Sequence, residues 1–241
     1  MRLFADYHTH TFYSHGSGSV CDNALAAQAR GLSQVAIADH GPASLFGVGV
    51  ASLNTFEHIR KDVDQANAQL PGLQVLLAVE ANVVGKDGLL DIPPAMQRDF
   101  DLILAGLHIM VRPHAWWDAL KVGLGNMSEK SALVVNTDLL VSAVYRNRIA
   151  IVTHPGLRLP IDTAELARAC AATGTALEIN TGHRHTGLRY VELVAQEGAR
   201  LAIGSDAHTP ERVGDLQYGL DLVERAGLQA EQVLNAMDDS V

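Results

Sequence analysis

The sequence predicts an α/β fold in which seven parallel strands close into one TIM-like barrel, a single domain spanning residues 1–241. Apolar runs typical of buried strands alternate with helix-like segments along the chain, which favours a parallel sheet with right-handed crossovers. Six of these seven runs lead into histidine, glutamate or aspartate. An open sheet would collect its site at one switch point from a few strands, so contributions from six strands favour a closed barrel.

The polar residues stand where the expected strands end. The runs are Leu3–Tyr7, Val35–Ala38, Val75–Val79, Leu102–Leu107, Ile149–Thr153, Ala176–Asn180 and Leu201–Ser205. The residues that follow six of them are His8, His10, His40, Glu80, His108, His154, Asp206 and His208. A core histidine usually stands alone on an apolar face. Imidazoles and carboxylates that recur after strands instead indicate a metal site at the carboxyl ends of the barrel strands.

Helix-like segments fill the connections between these runs. The expected helices are Asp22–Gly31, Asn54–Leu70, one or two helices within Ser128–Asn147, Thr163–Thr173, Arg189–Gly198, Asp215–Gly227 and Ala230–Met237, with a short helical piece after Pro93 and Pro94. Phe56, Ile59 and Val63 are spaced for one helix face. Asp162 and Gly174 are start and stop signals for the helix between them.

Composition limits the class of protein. Hydrophobic residues make up 48% of the chain and charged residues 19%, which is enough for a sizeable core and argues against disorder. The net charge of −9 argues against stable nucleic-acid binding, which normally requires a basic face. Cys21 and Cys170 form no metal-binding or disulfide pattern. No signal sequence or membrane-spanning run is present, so we expect a cytoplasmic protein that does not bind membranes.

Six short motifs together resemble one family of metal-dependent phosphoesterases. The first, His-x-His, places two imidazoles on the same side of a strand but is a weak signal alone. The motifs are H-T-H-T-F-Y-S-H-G at 8–16, A-D-H-G at 38–41, V-E-A-N at 79–82, G-L-H at 106–108, T-H-P-G at 153–156 and G-S-D-A-H-T at 204–209. Taken together they resemble the polymerase-and-histidinol-phosphatase (PHP) family, over most of the chain.

The resemblance implies a distorted seven-stranded barrel that holds three divalent metal ions. The first ion would be bound by His8, His10, Glu80 and Asp206. The second would be bound by Glu80, His108 and His154, with Glu80 bridging the two. The third would be bound by His15, His40 and His208. Imidazole and carboxylate ligands without thiolates suit Zn²⁺, our first choice, or Mn²⁺ or Fe²⁺.

The expected chemistry is the hydrolysis of a small phosphomonoester, as in histidinol phosphatases. Three divalent ions with only two carboxylates make a positively charged pocket that favours a phosphate dianion. A metal-bound hydroxide would attack phosphorus, because metal binding lowers the pKa of water towards about 7. We expect Glu80, Asp206 and His208 to be the catalytic residues.

Further residues of the same rim are candidates for contacting the substrate. They are Asn180, His183, Arg184 and Arg158. Asp39 precedes a proposed ligand and is a candidate for orienting it. The connection from Ile109 to Met127 is longer than the usual βα connection of about 2–6 residues. It contains Trp116 and Trp117 and is either a lid over the pocket or a contact between subunits.

Three alternatives remain open at this point. The same metals could hydrolyse phosphodiesters at nucleic-acid ends, as in a 3′–5′ exonuclease, although the acidic balance disfavours this. The chain could be an amidohydrolase-like enzyme, which also uses His-x-His and a late aspartate. It could also be a metal-binding scaffold without activity. The physiological substrate, the metal and the oligomeric state are not determined by the sequence.

Overall fold

Seven parallel strands form one sheet in which each strand pairs with the next along the chain. The computed structural model describes residues 1–112, 114 and 128–238. The sheet strands are β2 (Ala5–Thr9), β3 (Gln34–Ile37), β4 (Gln74–Asn82), β5 (Leu102–Gly106), β6 (Ile151–Val152), β7 (Ala176–Asn180) and β8 (Arg200–Gly204). All seven expected strands are present, in the expected parallel arrangement.

The two edge strands of this sheet meet and nearly close it into a barrel. Thr9 at the end of β2 forms a parallel bridge with Ala207, which follows β8. The His10 amide donates to the Ala207 carbonyl at 2.8 Å, and the Ala207 amide donates to the His8 carbonyl at 3.2 Å. The expected α/β barrel is therefore confirmed. The closing contacts lie beside His8 and His10, so the seam of the barrel is also part of the rim.

Helices occupy the connections between the strands. They are α1 (Val20–Ala29), α2 (Thr55–Gln69), α3 (Glu129–Arg146), α4 (Thr163–Thr173), α5 (Leu188–Gln196) and α6 (Gln217–Arg225), with 3₁₀ turns at Met96–Asp99, Pro210–Arg212 and Ala230–Gln232. The segment expected to contain one or two helices forms the single helix α3. No helix in the described ranges is long and apolar enough to cross a membrane.

Two helices show how local sequence signals set their ends. Helix α4 begins after Asp162, whose carboxylate accepts the Glu165 amide, and ends at Gly174 in the left-handed conformation, as expected. Helix α1 begins two residues before the expected Asp22. Ser19 is its N-cap and forms a reciprocal capping box with Asp22, which therefore lies in the first turn.

The prediction of a last helix over Ala230–Met237 is wrong. Only Ala230–Gln232 is helical, as a 3₁₀ turn, and Ala236–Met237 forms the short strand β9. This strand pairs antiparallel with β1 (Arg2–Leu3), so that Leu3 lies opposite Ala236. Backbone hydrogen bonds to the N-terminal segment therefore replace the helical bonds that the local pattern predicted.

The apolar core has an outer and an inner part. The larger cluster packs the sheet against the helices. A smaller cluster receives residues from all seven sheet strands and so lies inside the barrel: Ala5, Tyr7, Ala36, Ala38, Ala78, Leu104, Ile151, Ala176 and Ala202. Most of these side chains are small, which leaves space above them at the carboxyl ends of the strands.

Candidate metal centre

The barrel interior determines which side chains reach the rim. Side chains two residues apart on a strand share a face. Ala78 belongs to the inner cluster, so Glu80, two residues further along β4, also faces inwards and is fully buried. His40 follows Ala38 in the same way. The polar residues thus form a layer directly above the apolar interior.

Glu80 lies at the centre of this layer and contacts five histidines. Its Oε2 is 2.9 Å from His40 Nδ1 and 3.3 Å from His8 Nε2. The same oxygen is 3.7 Å from His10 Nε2. Its Oε1 is 2.8 Å from His154 Nε2 and 3.2 Å from His108 Nε2. The two oxygens face different histidines, which is the arrangement that a bridging carboxylate needs.

Asp206 forms a second acidic centre on the opposite side of the layer. Its Oδ1 lies 3.2 Å from His10 Nε2 and 3.6 Å from His8 Nε2. Asp206 has a φ of 52° and His154 a φ of 29°, both in the left-handed region that L-residues rarely adopt. Strain of this kind persists where the surrounding structure enforces it and clusters at functional sites.

His15 and His208 complete the rim. Their Nε2 atoms face each other at 2.5 Å. The His208 Nδ1–H donates to the Asp206 carbonyl at 2.9 Å, so the lone pair that could bind a metal is on its Nε2. His15 lies in a loop held by Asp39, whose carboxylate accepts bonds from the Thr11 amide, the Thr11 hydroxyl and the Ser14 hydroxyl. Asp39 therefore fixes the loop that carries His15, and the hydrogen bonds of its side chain go to this loop.

Among the described residues, three sets of three side chains could each hold a metal ion. Ligand atoms within 4.8 Å of one another belong to His8, His10 and Asp206, to His40, Glu80 and His108, and to His10, His40 and His208. The first group contains three members of the first expected set. The other two groups exchange members with the expected sets: His40 replaces His154 beside Glu80, and His10 replaces His15 beside His208. All nine expected ligands nevertheless lie in one layer, and their assignment to particular ions remains a prediction.

The buried polar atoms of this layer fit metal ions. Within the described part of the chain, His8 Nε2, His10 Nε2, His40 Nδ1 and Glu80 Oε2 are buried and lie close to one another, but their geometry forms no hydrogen bond. Unpaired buried polar atoms are costly, so a cluster of them needs a partner. Imidazole and carboxylate donors suit Zn²⁺, Mn²⁺ or Fe²⁺. A divalent cation would satisfy several of these atoms together.

The neighbouring histidines lower the pKa values of the two carboxyl groups in this layer. Burial raises the pKa of Glu80. The nearby His40, His8 and His108 lower it by more than burial raises it, so the pKa lies well below its usual range. Burial also raises the pKa of Asp206, but His8 and His10 lower it by more, so this pKa too lies well below its usual range. Both carboxyl groups are therefore ionised at neutral pH and available as ligands.

The histidine pKa values diverge according to their neighbours. Burial lowers the pKa of His8, but Glu178, Glu80 and Asp206 raise it well above its usual value. Burial lowers the pKa of His10 well below its usual value, and lowers that of His15 to about 4 with the help of the neighbouring histidines. His10 and His15 are thus neutral at pH 7.

Glu178 contacts the metal-binding layer and was not among the site residues predicted from the sequence. It lies on β7, is almost fully buried, and accepts the His8 Nδ1–H at 2.6 Å through Oε1. Its Oε2 accepts the His154 amide at 2.7 Å and the Asn180 side chain at 3.1 Å. Through the first bond, Glu178 directs the other ring nitrogen of His8 towards Glu80 and Asp206. A charged residue in an otherwise apolar buried strand was the one signal in the sequence.

Two glycines leave space for these groups. A Cβ at Gly204 would collide with Glu178 Oε1 and press on His8. A Cβ at Gly106 would collide with the Thr153 hydroxyl and lie 3.1 Å from the His108 ring. These positions therefore favour glycine because of the packing around the site.

The four expected substrate contacts divide into two pairs. His183 and Arg158 line a cavity of about 370 Å³ above the metal-binding layer. Asn180 and Arg184 do not line it. The Asn180 amide is fully buried and donates to Glu178 and Asp206, so it orients carboxylates. The Arg184 side chain donates to the Thr181 carbonyl and lies over the Tyr218 ring.

The long connection after β5 begins with backbone hydrogen bonds to the loop after β3. Met110 accepts a hydrogen bond from the Leu45 amide, and the Arg112 amide donates to the Ala43 carbonyl. The proposed lid, including Trp116 and Trp117, falls mostly on residues 113 and 115–127, outside the described residues. It therefore stays a prediction.

Comparison with known proteins agrees with this geometry. The PHP domain family model matches residues 6–154. A probable phosphatase of Caldanaerobacter subterraneus subsp. tengcongensis is 29% identical over 100% of this chain and 90% of the relative. A probable phosphatase of Syntrophotalea carbinolica is 30% identical over 98% of this chain and 92% of the relative.

A solved structure shares the fold. Histidinol phosphate phosphatase from Lactococcus lactis subsp. lactis, in complex with zinc, L-histidinol and phosphate, superimposes with a TM-score of 0.63 and 17% identity. The match covers 94% of this chain and 95% of that chain. The family match covers more than half of this chain and includes its expected ligands from His8 to His154. This chain therefore belongs to the PHP domain family.

Proposed function

We propose that the metal-dependent phosphatase activity of this PHP protein is directed at small-molecule phosphomonoesters and uses a centre of three divalent ions. The observation that carries the proposal is the cluster of buried nitrogen and oxygen atoms around Glu80 that form no hydrogen bond, of which those of Glu80 and His40 belong to residues at the floor of the cavity. The relatives named as probable phosphatases support the reaction type. The zinc in the Lactococcus lactis structure supports the choice of Zn²⁺ over Mn²⁺ and Fe²⁺.

Each ion would be held by residues on different strands. Glu80 would bridge, with His8, His10 and Asp206 on one side and His108 and His154 on the other. His15, His40 and His208 would hold the third ion. When bound, the ions would neutralise charge on the phosphoryl oxygens and make water nucleophilic at neutral pH. Glu80, Asp206 and His208 are the ligands that we propose as catalytic.

Residues of the cavity wall would orient the ester. The Thr153 hydroxyl is buried in this wall and has no hydrogen-bond partner in the described ranges, so it can donate to a phosphoryl oxygen. Arg158 is exposed at the mouth and carries a positive charge that attracts the phosphate. His183 Nε2 lies 3.4 Å from Asp206 Oδ2 and can form a hydrogen bond to the ester oxygen.

The size of the cavity favours a small substrate. A volume of about 370 Å³ is within the range of small-molecule sites, about 300–1,000 Å³. The net charge of −9 offers no general attraction for nucleic acid. We therefore prefer monoester hydrolysis to the exonuclease alternative.

The test is a comparison of substrate classes with purified protein of known metal content. Metal-free protein would be loaded with Zn²⁺, Mn²⁺ or Fe²⁺. Phosphate release would be measured from phosphomonoesters, including histidinol phosphate, with nucleotide release from oligonucleotides and hydrolysis of amides measured in parallel. We expect monoesters to be hydrolysed fastest, and only by the metal-loaded protein.

A matched pair of variants supplies the control. Glu80→Gln should reduce activity to background and lower the metal content, because the amide cannot bridge two cations. Glu57→Gln, on the exposed surface of α2, should leave both unchanged. Faster cleavage of oligonucleotides or amides, or full activity of Glu80→Gln, would contradict the proposal.

A further inference from the structure

The cavity above the metal-binding layer has one distinctly apolar side. Leu107, Ile109 and Met110 follow β5, Leu140 comes from α3, and Leu157 and Leu159 belong to the loop after β6. Ile109 and Met110 are each 52% exposed. These residues are here called the apolar wall. They line the same cavity as the polar floor, so a molecule whose phosphate rests on the floor can place the rest of its body against the wall.

Hydrogen bonds hold the wall in place. The Asn136 side chain on α3 donates to the Pro160 carbonyl at 3.1 Å, and the Asp162 amide donates to the Thr137 hydroxyl at 2.9 Å. These bonds fasten the loop that carries Leu157 and Leu159 to the helix that carries Leu140. This part of the wall is therefore held in place without a ligand, which lowers the entropy cost of binding.

The charged residues in the described lining of the cavity disfavour one class of leaving group. Among its described lining residues, the carboxylates are Glu80 and Asp206, and both are surrounded by histidines at the floor. Arg158 is the one lysine or arginine among those residues, at the mouth. An ammonium group against the wall would lose its hydration without gaining an anionic partner, whereas an apolar group would gain from burial.

We infer that the preferred substrate is the phosphate monoester of an uncharged alcohol or phenol with an apolar body. This inference rests on the proposed function and deepens it by naming the leaving group. In the reaction the oxygen of water bonds to phosphorus, the bond from phosphorus to the ester oxygen breaks, and the alcohol leaves with a proton. The products are inorganic phosphate and an apolar alcohol that rests against the wall.

The sharpest test compares two esters of the same shape. Phosphocholine and 3,3-dimethylbutyl phosphate differ only in a quaternary nitrogen that is replaced by carbon. We expect kcat/KM to be about 10-fold or more higher for the dimethylbutyl ester. Equal or faster hydrolysis of phosphocholine, or of an ω-hydroxy acid phosphate of similar length, would overturn the inference.

A charge placed on the wall should change this preference. Leu159→Asp should reduce the ratio of the two kcat/KM values about 10-fold or more, because it supplies the missing anionic partner. Leu25→Asp, at a leucine that is 47% exposed on α1, is the matched control and should leave the ratio unchanged. Metal content and the circular dichroism spectrum would show that both variants are folded and loaded. An unchanged ratio in folded Leu159→Asp would count against the wall.

A binding measurement separates this inference from the proposed function. Saturation-transfer NMR on the metal-free protein would compare 3,3-dimethylbutan-1-ol with choline, with no turnover required. Stronger transfer to the neutral alcohol, lost in Leu159→Asp, supports the apolar wall even if no monoester is hydrolysed. Hydrolysis of monoesters with equal transfer to both alcohols would leave the proposed function standing and refute the wall.

Discussion

Glu178 controls the orientation of His8, although it does not face the cavity. Its Oε1 accepts the His8 Nδ1–H, and its Oε2 accepts the His154 amide and the Asn180 side chain. A carboxylate behind a metal-binding histidine fixes the ring and increases its basicity. Glu178 is thus a positioning residue for the proposed centre.

Glu178→Gln should lower metal affinity without unfolding the protein. The amide keeps the shape of the side chain, but its NH₂ group cannot accept the two bonds that Oε2 now accepts. We expect metal affinity to fall about 10- to 100-fold, as is typical when such a carboxylate is lost. Competition with a chelating dye measures the affinity, and excess metal should restore activity. Glu57→Gln is the surface control, and equal affinity in both variants would refute the role.

The two cysteines should differ in reactivity. Burial raises the pKa of the Cys170 thiol to about 12, so its thiolate is rare at pH 8, whereas Cys21 is partly exposed. A thiol reagent at pH 8 should label Cys21 in the native protein, and both cysteines after denaturation. Equal labelling rates for both in the native state would contradict the burial of Cys170 in α4.

The role of Glu178 could not have been predicted from the sequence alone. It stands within an apolar run, and its partner His8 is 170 residues away along the chain. The expected ligands other than His15 could be proposed from the sequence because they stand at the ends of apolar runs, and parallel strands in a barrel end at the same rim. The sequence therefore indicates which residues meet, but not which of them orient the others.

At the scale of elements, predictions succeeded where local signals decide the structure. Helix α4 has a capping aspartate at one end and a left-handed glycine at the other, so its limits were predicted correctly. The C-terminal segment has no such signals, and its pairing with β1 depends on a distant part of the chain. Long-range strand pairing overrides local propensity in such segments.

The loop that carries His15 provides a prediction at this scale. Asp39→Ala removes the acceptor for three hydrogen bonds within that loop. Each abandoned buried donor costs about 1–3 kcal/mol, so stability should fall and His15 should lose its fixed position. We expect fewer bound ions per chain by elemental analysis and a lower melting temperature.

Asp162→Ala is the matched control for this variant. It also removes a carboxylate that accepts a backbone amide, but at the start of α4, away from His15. Loss of a helix cap costs about 1 kcal/mol, which lowers the melting temperature by about 2–4 °C in a chain of this size. Its metal content should be unchanged. If Asp39→Ala also retained its full metal content, the loop would not be needed to hold an ion.

At the scale of the whole molecule, the proposed centre joins nearly the entire barrel. Its expected ligands lie at the ends of β2, β3, β4, β5, β6 and β8, and Glu178 adds β7. The contact between β2 and β8 that closes the barrel lies beside His8 and His10. Bound ions would therefore connect the first strand of the sheet to the last.

Metal removal should consequently destabilise the whole barrel. Without ions, several buried nitrogens and oxygens of the layer form no hydrogen bond within the described residues. In the unfolded chain the same atoms can bond to water, so their burial lowers the stability of the metal-free native state. A ligand that binds only the native state at 100 times its Kd adds about 2.7 kcal/mol, which corresponds to about 5–11 °C in melting temperature for a chain of this size. Scanning calorimetry with Zn²⁺ and after chelation measures this difference. The Glu80→Gln variant should show a smaller difference, because it lacks the carboxylate at the centre of the layer. If the metal-free and metal-loaded proteins melted at the same temperature, the ions would not be linking the strands, and the proposed centre would have to be reconsidered.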